Sequence, residues 1–176
     1  MIRGFQGKVP KVHEGAFISE AAYIVGDVEI GEDSSVWPGA VVRADFGRIV
    51  IGVRCAIEDN CVLHCGSPSG DPDAINLIVG DDVVFGHGAV VNAKKIGSRV
   101  LIGMNATVLH DVAIGSDCIL AAGCVVRPGM VIPDGSFVAG IPAEIKGPAT
   151  KEQLFWTVAN PVAYPGLAEQ YKKEGL

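Results

Sequence analysis

Along this chain large apolar residues return every six positions. One run is Val12, Ile18, Ile24, Ile30, Val36 and Val42, and a second is Ile51, Ile57 and Leu63. A third takes in Val79, Phe85 and Val91, makes one five-residue step, and continues through Ile96, Ile102, Val108, Ile114, Leu120, Val126, Ile132 and Val138. An amphipathic helix repeats about every 3.6 residues and a half-buried strand about every two, so neither explains the pattern. A period of six reads as one short strand plus a corner, with the apolar residue pointing inward. Three such units close a triangular turn, and residues about eighteen apart then stack. The predicted fold is all-β: a parallel β-helix, a triangular prism whose Val and Ile ladders enclose a continuous aliphatic core. An ordinary sandwich of short strands has no reason to keep six-residue phase for so long. Glycine follows many of the apolar positions (Gly31, Gly52, Gly80, Gly86, Gly97, Gly103, Gly115) and is expected to let the corners turn.

Two segments break the phase. One is "RADFGRIV", 43–50; the other is "HCGSPSGDPDAINLIV", 64–79, whose Gly, Ser, Pro and Asp mark a protruding loop. After Gly147 the pattern changes, which divides the chain into a prism over 1–147 and a helical segment over 148–176. Thr150 with Gln153 three places on is a capping-box start. Leu154, Phe155 and Val158 are expected to form the buried stripe. Pro161 and Pro165 are expected to interrupt, with "LAEQYKKE" a second helical piece. The segment is expected to pack along the prism; a lid over a distant site is the alternative.

Composition narrows the class. With 49% hydrophobic and 19% charged residues, the 176-residue chain suits a compact domain. A formal charge of −6 argues against a nucleic-acid partner. No run approaches the roughly 18 apolar residues of a membrane span, and the first residues lack the apolar core of a signal peptide. Five cysteines without a CxxC pair fit reduced thiols in a cytoplasm. Alternation turns Cys61 and Cys65 away from the face of His64, so both are expected buried, and Cys55, Cys118 and Cys124 read as core or corner residues.

The same phase places the histidines. Leu63 and Val91 lie three steps apart, on one face, so His64 and Asn92 directly after them should stack on the outer surface. His87 follows Phe85 by two and belongs to the neighbouring face. One prism does not readily bring His87 round its own edge to the other two, but a second copy does. The geometry predicts a site at a subunit interface in a closed three-fold ring. His110 lies one turn beyond Asn92, offset in direction. It is expected to be exposed or capping, with a rescue-ligand role as the alternative. His13 reads as surface. Asp71 and Asp73 read as solvated, with proton relay as the alternative.

The segments "VVRAD", "IEDNCVLHCG", "FGHGAVVNAKKIG", "LIGMNATVL" and "AGIPAEIKG" together resemble the gamma-class carbonic anhydrases, including their ferripyochelin-binding and transferase-like members, over about residues 8 to 174. The resemblance implies a left-handed parallel β-helix, a homotrimer, and a Zn2+ (or Fe2+/Co2+) ion held by three histidines from two adjacent subunits. It implies water activation for hydration of CO2 or a related small-molecule electrophile. Matched position by position, His64 and His87 are metal ligands, and Asn92 stands where the family has its third histidine. Glu58 stands where the family has a glutamine beside the metal's water. Asp59, Arg43, Asp45 and Tyr164 match further residues of the pocket. An amide oxygen is a poorer donor than imidazole, and a carboxylate at 58 can ligate an ion or act as a base. Three arrangements stay open: His64, His87 and Asn92; two histidines with Glu58; or weak or absent metal. Two other functions stand beside hydration. One is an acyl-CoA-directed hydrolase, hydratase or transferase on the same scaffold; the other is a non-catalytic assembly subunit.

Overall fold

A computed structural model describes residues 1–66 and 75–176, so Asp71 and Asp73 lie outside the described residues. The chain winds as a left-handed β-solenoid. On one face Ile57, Phe85, Ile102 and Leu120 stand in register in parallel strands. On the second the ladder is Leu63, Val91, Val108 and Val126, and on the third Val79, Ile96, Ile114 and Ile132. All twelve are buried in one continuous core. Burying a side chain of this size stabilises by roughly 1.5–3 kcal/mol, repeated at every rung. An antiparallel pair, Ser136–Gly140 with Ala143–Pro148, ends the winding. All five cysteines are buried and unpaired.

The first phase break has a structural consequence. Val41–Ile51 is one 11-residue strand. Its first three residues pair with Val62–His64 and its last three with Leu77–Val79. It thus crosses a corner and joins two faces of the prism. Against Tyr23–Ile30 its register slips: Ala44 faces Gly26, but Arg48 faces Asp27. Asp45, Phe46 and Gly47 are therefore extra residues pushed out beside His64.

The glycines that follow the apolar positions do a different job from the one expected. None of the glycines that follow the apolar positions has a positive φ. Many left-handed corners are instead made by Asp33, Arg54, Asn60, Asp82, Arg99, Asn105, Asp111 and Asp117. The six Asp and Asn residues among them tolerate that conformation through their short polar side chains, while Arg54 and Arg99 pair with Asp82 and Asp117. The glycines are needed where neighbouring coils touch. A Cβ on Gly52 would lie 2.5 Å from the Gly80 carbonyl oxygen, and one on Gly103 would lie 2.5 Å from the Ala122 nitrogen.

The C-terminal segment corrects two expectations. Thr150 and Gln153 do form the capping box, but a single helix then runs from Lys151 to Glu174 with Pro161 and Pro165 inside it. The expected stripe is also wrong: Phe155 is 58% and Val158 65% exposed. The helix buries Thr157, Pro161 and Ala168, and packs Tyr164 and Tyr171 on Phe17 and Trp37. Tyr171 sits 5.0 Å from Trp37 and 5.8 Å from Phe17, and Tyr164 sits 5.5 Å from Trp37, ring centre to ring centre. Each proline removes an N–H and costs about 3 kcal/mol in a helix interior. The prism offers this segment an aromatic patch, and packing against it holds the helix through both prolines.

Candidate functional site

Glu58 directly follows the core residue Ile57 at a corner and is only 5% exposed. A buried carboxylate must be hydrogen-bonded. It accepts from the Tyr164 hydroxyl and from the His87 backbone N–H at 3.0 Å. Its Oε2 also lies 3.1 Å from His87 Nε2. On the other side of that ring, Asp59 Oδ2 is 2.9 Å from Nδ1. His87 is therefore bracketed by two acids of its own chain, yet half of its side chain faces solvent. Burial, and then the Glu58 carboxylate, push the Tyr164 phenol far up from its ordinary value, so it stays a proton donor.

A second group forms on the adjacent face. Arg43 and His64 are register partners in neighbouring strands. Asp45, in the pushed-out segment, pairs with Arg43 and places Oδ1 3.0 Å from His64 Nε2. Burial opposes ionisation of Asp45, but the His64 hydrogen bond and the Arg43 charge outweigh it and hold the carboxyl below its usual range. The exposed ring of Phe46 stands edge-on to His64 at 5.8 Å.

Asn92 sits one rung from His64, as the ladder of Leu63 and Val91 requires. With both ends of its amide satisfied, the nitrogen donates to the carbonyls of His64 at 3.1 Å and Gly66 at 3.3 Å. The oxygen accepts from His110 Nε2 at 3.0 Å. The structure thus makes two groups: Glu58, Asp59, His87 and Tyr164 on one face; Arg43, Asp45, His64, Asn92 and His110 on the next.

As metal donors these residues fit unevenly. His64 and His87 each carry an aspartate behind the ring, the arrangement that fixes a ligand imidazole's tautomer and orientation. Asn92 does not fit in its present orientation, because its oxygen is committed to His110. Among the described residues of one chain, no three His, Cys, Asp or Glu side chains gather into a group able to hold an ion.

Beside His87 and Glu58 a cavity of about 430 Å³ opens between the prism and the helix. Its walls are mainly apolar, with Leu101, Met104 and Ile119 on the prism and Trp156 and Asn160 on the helix. Trp156 and Asn160 escaped the sequence reading. They precede Tyr164 by eight and four places and so share its helix face, which was the available signal. No helix among the described residues is long and apolar enough to cross a membrane.

The bacterial transferase hexapeptide family (six repeats) matches residues 10–44 and 94–128. A Methanocaldococcus jannaschii protein named "Probable carbonic anhydrase" is 45% identical over 152 residues, covering 86% of this chain and 92% of its own. Gamma carbonic anhydrase 2, mitochondrial, of Arabidopsis thaliana is 31% identical over 95% of this chain, which spans only 60% of the plant protein's length. The crystal structure of a hexapeptide transferase family protein from Anaplasma phagocytophilum superposes with a TM-score of 0.88 at 29% identity, covering 97% of both chains.

Proposed function

Because the chain belongs to the gamma carbonic anhydrase family of hexapeptide-repeat proteins, we propose that it is an enzyme that activates water to hydrate CO2 or a related small electrophile. The site lies between subunits of a homotrimer, where His64 of one protomer meets His87 of the next. One observation carries this reading: two imidazoles, each backed by an aspartate, stand on adjacent faces of one prism and share no contact within it. A Zn2+, Fe2+ or Co2+ ion held there would supply the Lewis acidity that makes water nucleophilic near neutral pH.

The chain's own residues have separable roles. Asp45, clamped by Arg43, orients His64. Asp59 does the same for His87 and, at 40% side-chain exposure, hands protons to solvent. Glu58 takes a proton from water at the cavity floor, the general-base role. Tyr164 holds that carboxylate in place from the helix. The apolar wall suits an uncharged gas and excludes bulk water.

A second reading is favoured by the cavity. Its volume of about 430 Å³ falls in the range typical of ligand pockets and far exceeds what CO2 fills. An acyl ester or thioester would seat its apolar chain along Leu101, Met104 and Trp156, with its carbonyl at Glu58.

Stopped-flow CO2 hydration with a pH indicator, on protein loaded with Zn2+ or Fe2+, tests the first reading. The rate should rise above buffer and fall to background in His87→Ala. A wild-type rate equal to buffer, with turnover of a medium-chain acyl thioester instead, would replace hydration by the second reading.

A further inference from the structure

His110 stands beside Asn92 but has no role in the proposed reaction. Val108 stands in register with Val91, and Val91 with Leu63, so His110 rises one rung above Asn92 on the face that carries His64. Just after it Asp111 turns left-handed, with φ of 63°, so the chain turns a corner there. The backbone carbonyl of His110 is fixed by the Gly129 N–H at 2.9 Å. Its ring tip comes back to Asn92, Nε2 to Oδ1, at 3.0 Å.

Asparagine is shorter than histidine, and the tip of the His110 ring reaches its amide oxygen. The two backbone carbonyls that bind the Asn92 nitrogen lock the amide, so its oxygen points at that ring. We infer that His110 supplies the nitrogen that position 92 lacks: His64 and His110 of one protomer, with His87 of the next, make a three-imidazole ligand set. This rests on the proposed reading that an ion binds between subunits. Imidazole is a better donor than an amide oxygen for Zn2+, Co2+ or Fe2+. Binding through Nε2 uses the tautomer protonated on Nδ1. The proton on Nε2 is released to solvent, another is taken up at Nδ1, and the contact with Asn92 is exchanged for the contact with the ion.

The experiment measures Co2+ and Zn2+ binding to the purified full-length protein by equilibrium dialysis and by the visible spectrum of bound Co2+. His110→Gln keeps an N–H for Asn92 and removes the ring nitrogen. It should retain the wild-type melting temperature and weaken metal binding by more than about 100-fold, beyond the effect usual for a residue that only orients a ligand. The double variant Asn92→His/His110→Gln should regain the metal, because the third imidazole returns from position 92. Wild-type protein that binds Co2+ and a His110→Gln variant that binds it equally well, with the same spectrum, overturn the role of His110 and leave the inter-subunit reading standing. Wild-type protein that binds neither metal overturns both.

Discussion

Glu58 is where two distant parts of the chain meet, since one of its oxygens takes the Tyr164 hydroxyl and the other the His87 N–H. The buried carboxylate cannot turn to water for a replacement donor. Tyr164→Phe should cost about 1–3 kcal/mol of stability by urea denaturation. In Tyr164→Phe/Glu58→Ala the two costs should not add, because each variant removes the same contact. Strict additivity would show that the hydroxyl does not serve Glu58. At this scale the sequence reading succeeded where side-chain direction follows from phase. His64 and Asn92 sit on one face and His87 on the next because each lies one or two places from a ladder residue. The reading lost its hold at corners, where two-residue alternation stops. Spacing put His110 one turn beyond Asn92, but at a corner it could not show that the ring reaches back to the amide. Asp45 reaches His64 through a register slip of three residues, whose place the broken phase marked but whose direction it did not.

Among the elements, the coil was readable throughout, whereas of the helix only its capped start and its packing on the prism were, and not its continuity or its buried face. The coil is encoded redundantly, one inward aliphatic every six residues, so single exceptions do not obscure it. The helix packs through Tyr164, Tyr171 and Ala168 on an aromatic patch of the prism, and its exposed Phe155 and Val158 imitate a buried stripe. Pro161 and Pro165 suggested a break because local propensity was weighed without that patch. Glycine was explained only in part: some corners do turn on glycines of positive φ, such as Gly39 and Gly88, but the glycines after the apolar positions are needed for contact between coils. Two substitutions separate these explanations. Gly103→Ala, whose methyl would meet the Ala122 nitrogen at 2.5 Å, should cost roughly 3 kcal/mol or more in thermal unfolding. Gly123→Ala, at φ of 68° with open space around it, should cost only about 1–2 kcal/mol. Equal costs would refute the contact explanation.

At the scale of the whole molecule, a triangular prism turns its three faces outward and cannot bring adjacent faces together. In the proposed reading, the two acid-backed imidazoles on neighbouring faces are halves of one site, joined when protomers close a ring. The relative from Methanocaldococcus jannaschii and the interrupted hexad both pointed toward the scaffold, but only the placed side chains show which face of the prism each residue shares with which acid. Coexpression of His64→Ala and His87→Ala chains tests this most directly, by the metal content of the purified mixture. Each variant alone should be nearly empty. In randomly mixed trimers about one interface in four joins an intact His64 to an intact His87, so metal should return to about a quarter of the wild-type content. A mixture as empty as its two parents, beside a wild-type protein that holds its ion, would contradict a site shared between subunits.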